Sequence, residues 1–164
     1  MRKGLVLVLL SILAFTAFGQ ITIEKSVDEM TDEVSYYPSE RLIVANEAKT
    51  QGFTMEAYLD VKKGKLYVKA FTVSLVDLGS CNENNEMIIL FDDGTKMVLQ
   101  SFGDFKCKTY TFFMFTDEQE AMAKAKKVKK IRFKNGFTFD EFTGVSSNES
   151  FFIELYNAIE NKNK

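Results

Sequence analysis

Asp92 and Asp93 are adjacent carboxylates within Glu86–Gln100, EMIILFDDGTKMVLQ. A carboxylate pair can hydrolyse a glycosidic bond without a metal, provided both groups face one cleft at a controlled separation. The same residues also read as a hairpin tip. Asp92-Asp93-Gly94-Thr95 separates the apolar runs Met87–Phe91 and Met97–Leu99, and Gly94 accepts the positive φ of a tight turn. The turn is the simpler reading, and it sets the carboxylate-only hydrolase behind a non-enzymatic function.

Other catalytic classes fall away by residue type. The chain has no His, so Ser-His and Cys-His nucleophiles have no ordinary base. Gly144-Val145-Ser146-Ser147-Asn148 lacks the final glycine of a nucleophile elbow, and no Ser is followed three residues later by Lys. Two cysteines without histidine do not make a tetrahedral zinc site within one chain. No glycine-rich phosphate loop is present. Asp28, Glu29, Asp32 and Glu33 lack the spacing of a calcium loop and read as a solvated acidic turn. No catalytic residue, metal or cofactor is therefore expected.

Binding chemistry has one candidate in charge. Lys124, Lys126, Lys127, Lys129, Lys130, Arg132 and Lys134 fall in a stretch without an acid. In a strand, Lys130, Arg132 and Lys134 share one face while Ile131 and Phe133 share the other. That basic patch could meet an anionic envelope partner. The simpler reading is an edge strand whose lysines prevent self-pairing, following a helix C-terminus complemented by charge. Tyr36 and Tyr37, before the single proline Pro38, are the candidates for exposed aromatics. A sugar platform would usually present Trp or Tyr, and with no Trp in the chain sugar binding is not the expected function. Asn148-Glu149-Ser150 fits a glycosylation sequon, relevant only in a eukaryotic host.

The compartment follows from the N-terminus. Arg2 and Lys3 precede an apolar run from Leu5 to Phe18, and Ala17-Phe18-Gly19 suits cleavage before Gln20. Residues 1–19 read as a secretory signal peptide, leaving one domain over residues 20–164 in the periplasm or outside the cell. No later segment is long and apolar enough to span a membrane as a helix. Removing Arg2 and Lys3 from 21 cations leaves 19 against 23 acids, a net charge of −4, which argues against nucleic acid as the partner. In an oxidising compartment an even cysteine count without metal ligands favours pairing, so Cys81 and Cys107, which bracket the Asp-Gly hairpin, are expected to form a disulfide.

The elements that would position these groups are mostly strands. Ile21–Glu24, Val34–Tyr37 and Leu42–Ala45 read as short strands. Phe53–Val61 alternates cleanly, with Phe53, Met55, Ala57, Leu59 and Val61 on the core face. A Lys63-Gly64 turn leads into Leu66–Val76, with Leu66, Val68 and Ala70 sharing the face of Leu59 and Ala57. In the central hairpin a three-residue loop, Asp92–Gly94, pairs Ile89 with Met97 and Met87 with Leu99. Thr109–Phe115 is another strand. Thr116-Asp117-Glu118-Gln119 is a capping box opening a helix near 117–126. Val128–Phe133 returns to strand, Asn135-Gly136 turns, and Phe137–Phe139 follows as the second arm of a hairpin. Thr143–Ser150 reads as a loop. Phe151, Phe152, Leu155, Tyr156 and Ile159 mark one stripe of a C-terminal helix near 150–160, and residues 161–164 should fray.

The predicted fold is an antiparallel β-sandwich, or a strongly curved antiparallel β fold, with those two helices. The FDDGT turn between Cys81 and Cys107, the TDEQ helix start and the KKIRF strand resemble small exported bacterial β-sandwich proteins of unknown function; the resemblance covers about Phe53 to Phe139 and implies no activity. The expected function is to bind or stabilise an envelope or extracellular partner. The alternative is a carrier of a small apolar molecule between Phe-lined sheets.

Overall fold

The structure is a computed structural model that describes residues 20–48, 51–76, 84–102, 110–136, 139 and 141–164. Its elements are β1 (Ile23–Val27), β2 (Val34–Pro38), β3 (Leu42–Ala45), β4 (Gly52–Lys62), β5 (Lys65–Val76), β6 (Glu86–Phe91), β7 (Lys96–Phe102), β8 (Tyr110–Phe113), α1 (Asp117–Ala125), β9 (Val128–Lys134), β10 (Glu141–Ser146) and α2 (Phe151–Lys162). β1 and β2 form a separate antiparallel ribbon. The other eight strands close into a barrel in the order β10-β3-β4-β5-β8-β7-β6-β9. Every neighbouring pair in it is antiparallel.

The mainly β class and both helices agree with the sequence reading, but the sandwich is corrected to a closed barrel. Alternation of buried and exposed residues is the same in both, because each strand has one inner face either way. What separates them is the seam between β10 and β3, joined by only two register pairs, Val145↔Ala45 and Ser146↔Val44. That seam links residues about a hundred positions apart, and no local pattern announces it.

The central hairpin forms in the expected register, with Ile89 opposite Met97 and Met87 opposite Leu99. Gly94 takes φ +85°, and its N–H donates to Phe91 O at 3.1 Å. In β4, Phe53, Met55, Ala57 and Leu59 are buried as predicted, while Val61 near the strand end is exposed. Lys63 and Gly64 make the turn with φ +53° and +75°, and Leu66 faces Val61. A bulge then puts Tyr58 opposite Ala70 and Leu59 opposite Val68, so the inner face passes to Phe71 and Val73. The single unbroken face expected through Leu66, Val68 and Ala70 is corrected accordingly.

β10 is the strand the sequence hides. The loop expected over Thr143–Ser150 is corrected in its first half, where Thr143–Ser146 belong to the strand Glu141–Ser146, which pairs with β9 from Glu141↔Lys134 to Gly144↔Ile131. Its inward positions are Phe142, Gly144 and Ser146. Two of those three are small, so the alternation carries almost no hydrophobic signal. Phe139 sits outside any strand at φ +62°, and Phe137 and Thr138 lie outside the described residues.

Following the antiparallel order, the β4–β5 and β6–β7 turns, α1 and the start of α2 all fall at one end of the barrel. The capping box is present: Gln119 N–H donates to Thr116 Oγ1 and Thr116 N–H to Gln119 Oε1. α2 buries Phe151, Phe152, Leu155, Tyr156 and Ile159, with Phe152 edge-on to Phe71 at 5.5 Å. The chain end does not fray as expected. The Asn163 side chain accepts from Leu66 N–H at 2.8 Å and donates to Leu66 O at 3.0 Å, which ties α2 to the start of β5.

Among the described residues, one buried polar side-chain atom is left over. The Tyr156 hydroxyl has no hydrogen-bond partner, and burial, with the nearby Glu120 charge, pushes its pKa well above the usual phenol value. Lys124 Nζ lies 4.9 Å from its ring centroid, a contact that Phe would keep. Because an unmade buried hydrogen bond is costly while its removal with the shape kept is not, Tyr156→Phe should be neutral or stabilising by up to about 1 kcal/mol. Urea unfolding of the two proteins measures this, and a loss of stability would mean the hydroxyl does bond.

Candidate interaction surface

The carboxylates at the hairpin tip are held by structure. Asp93 Oδ1 accepts from Thr95 N–H at 2.9 Å and from Thr95 Oγ1 at 2.6 Å. Its Oδ2 lies 2.7 Å from Lys126 Nζ. Lys126, with Thr95 and its backbone, holds the Asp93 carboxyl far below the usual range. A group so firmly ionised is unsuited to donate a proton as a general acid. Asp92 N–H donates to Lys127 O at 3.0 Å, so the turn is docked on the residues that follow α1.

The other chemical candidates are likewise engaged. Ser146 Oγ donates to Asn148 O at 2.6 Å and accepts from Asn148 N–H at 3.0 Å, which locks it in its own turn. Asn148 in turn donates to Glu154 Oε2 and accepts from Ser150 N–H. These residues, with Lys127, line a surface cleft of about 430 Å³. In the acidic turn Asp28 Oδ1 accepts from Met30 and Thr31 N–H, and no group of three potential metal ligands forms among the described residues. Tyr36 packs against the core, whereas Tyr37 is exposed beside Pro38, Arg41 and Glu56.

Lys130, Arg132 and Lys134 do share the outer face of β9, with Ile131 and Phe133 fully buried. The edge-strand explanation for them is corrected, because β9 is paired with β6 on one side and β10 on the other. Arg132 lies 3.6 Å from Glu86 and Lys134 lies 3.7 Å from Glu141. In register, Lys134 faces both of those acids. Cross-strand opposite charges of this kind favour one register, although exposed pairs add little stability each. Lys130, opposite Leu90, remains exposed. Cys81 and Cys107 lie outside the described residues.

The barrel interior is aromatic. Phe53 meets Phe133 at 5.9 Å and Phe142 at 5.8 Å, and Phe113 meets Phe133 at 6.3 Å between ring centroids. An eight-stranded barrel is just wide enough for side chains to fill, and here the rings contact each other.

The outer wall of β7 and β8 was not singled out from the sequence. Val98 is 49% exposed, Phe102 45% and Met114, just past β8, 52%. Phe102 pairs with Phe112 at 6.0 Å, and Tyr110 stands 5.5 Å from Phe112. The available signal was parity: Met97 and Leu99 point inward, so Val98, Gln100 and Phe102 must point out. No family model, curated protein or solved structure matches the chain.

Proposed function

We propose that this chain is an exported, non-enzymatic binding module that holds an envelope or extracellular partner on the outer wall of its barrel. The observation that carries the reading is the contrast between the buried Phe rings that pack on one another inside the barrel and the apolar residues Val98, Phe102 and Met114, exposed beside half-buried Phe112. Exposed Gln100 stands between Val98 and Phe102 on this face, so the contiguous part is Phe102 with Phe112 and Tyr110, and exposed apolar patches of that kind mark interaction sites. The rings that meet one another inside weigh against an apolar cargo in the barrel. Export, the likeness to small exported bacterial β proteins and the Cys81–Cys107 bridge belong to the same proposal.

The test is crosslinking of the protein in its own envelope. Val98→Ser/Phe102→Ser/Met114→Ser should lose the crosslinked partner while keeping its circular dichroism, because all three side chains are exposed. Retention of the partner by the triple variant would sink this surface as the site. Export carries its own check. β5 and β7 end, and β6 and β8 begin, at one end of the barrel, while Cys81 and Cys107 lie outside the described residues. Thiol titration of the unfolded, unreduced protein should find no free thiol; two per chain would exclude the bridge.

A further inference from the structure

The β1–β2 ribbon poses a physical problem of its own. An isolated two-stranded hairpin is marginal in water. The base of this one is anchored: Ile21 and Ile23 are buried, Tyr36 packs on the core, and Ser39 N–H donates to Thr22 O at 2.8 Å. Its outer half buries nothing. The facing pair Val27 and Val34 is exposed, and Met30 at the tip is 92% exposed. Yet the tip is ordered by its own bonds, with Asp28 N–H donating to Glu33 O at 2.9 Å and Asp32 N–H to Asp28 O at 2.8 Å. Three apolar side chains are thus held out in water on a preformed arm.

Charge indicates what the arm meets. Glu24, Asp28, Glu29, Asp32 and Glu33 accompany a single cation, Lys25, on the ribbon, and none of them is in an ion pair among the described residues. On the barrel, Lys124, Lys126, Arg132 and Lys134 are each paired with an acid. Lys127, Lys129 and Lys130 are exposed and enter no ion pair among the described residues. Beside them, half-buried Ile88 and Leu90 of β6 stand opposite Arg132 and Lys130. The arm and this face are complementary in both charge and apolar content.

We propose that the ribbon of one copy docks on the Lys127–Lys130 face of a second copy, giving head-to-tail assembly. The ribbon contacts β4 through β2. β9 is three strands from β4 one way round the barrel and five the other. The ribbon also contacts α2 through β1, so the base of the arm and the face stand on different sides of the barrel. A two-fold exchange, in which each arm reaches the other's face, does not fit that placement. A heterologous contact does, and it propagates until it closes or runs on.

Sedimentation of the mature protein tests this. At low ionic strength the weight-average mass should rise with concentration past that of a dimer, and in about 1 M salt, where screening acts within about 3 Å, it should fall to the monomer. Glu24→Lys/Glu29→Lys/Glu33→Lys, which leaves the turn-forming Asp28 in place, should weaken association at least tenfold. Lys127→Glu/Lys129→Glu/Lys130→Glu should do the same. All six side chains are exposed, and circular dichroism confirms that each variant folds. An equimolar mixture of the two variants should associate again, since each arm then meets a face of opposite charge. A wild-type protein that stays monomeric at low salt, one that stops at a dimer, or association untouched by both variants would overturn the proposal.

Discussion

Replacing Asn85 by Ala is expected to destabilise the fold by about 3 kcal/mol, because it leaves buried partners unsatisfied and opens a polar void. Asn85 is fully buried just before β6. Its Nδ2 donates to Thr111 Oγ1 at 3.1 Å, and its Oδ1 accepts from Gly136 N–H at 3.1 Å. Its backbone N–H donates to Ser101 Oγ, and its carbonyl accepts from Ser101 N–H. One residue thereby joins β6, β7, β8 and the connection after β9, at the barrel end opposite the helices. The backbone bonds survive truncation; the two side-chain bonds do not. Thr111 is itself buried, so water does not readily replace the lost donor. Asn85→Asp separates hydrogen bonding from charge. An aspartate keeps the acceptor for Gly136, but burial raises its folded pKa above the unfolded value of about 3.9. Its stability should therefore be highest at acid pH and decline as pH rises through the unfolded and then the folded pKa. Urea unfolding of both variants between pH 3 and 8 measures this. An Asn85→Ala midpoint unchanged from wild type would mean the network is dispensable.

Asn85 also shows why some of this molecule is legible in sequence and some is not. The β6–β7 register follows from an Asp-Gly turn between apolar runs, and the start of α1 from Thr116 and Gln119, both encoded within a few residues. Asn85, in a polar stretch beside Asn84, reads as loop. Its burial depends on Thr111 and Gly136, which lie 26 and 51 positions away. Lys130, Arg132 and Lys134 were legible as one face, but their role depended on whether β9 has a free edge, and that is set by β6 and β10. Asp92 and Asp93 were rightly placed in a turn; the Lys126 pairing that holds Asp93 ionised needed the α1 terminus in space. The outer wall of β7 and β8 was open to parity, yet Phe102 and Phe112 looked like core because most Phe here are.

The seam that closes the barrel supplies the other large effect. Gly52 on β4 and Gly144 on β10 approach the same short stretch of β3 from its two sides. A Cβ on Gly144 would lie 2.6 Å from Ala45 O and 2.9 Å from Ala45 C, with the Phe142 ring at 2.8 Å. A Cβ on Gly52 would collide with Val44 O. A flexible side chain can swing away from such a contact; strand backbone paired on both edges cannot. β3 has only four residues, and β10 holds it through two register pairs, so little ladder is available to absorb a displacement. Gly144→Ala should cost about 3 kcal/mol, at the upper end of what overpacking does, and Gly144→Val more. Gly64→Ala is the control. A Cβ there meets nothing within 4 Å, but φ is +75°, so it carries only the left-handed strain of about 1–2 kcal/mol. Hydrogen exchange adds a local readout. Gly144→Ala should speed exchange at Val44 and Ala45 more than at Ile88 and Ile89, because the seam opens before the β6–β7 hairpin does. If Gly144→Ala costs less than Gly64→Ala and leaves exchange at Val44 unchanged, the close approach is not what holds β3 and β10 together, and the barrel closes by some other contact.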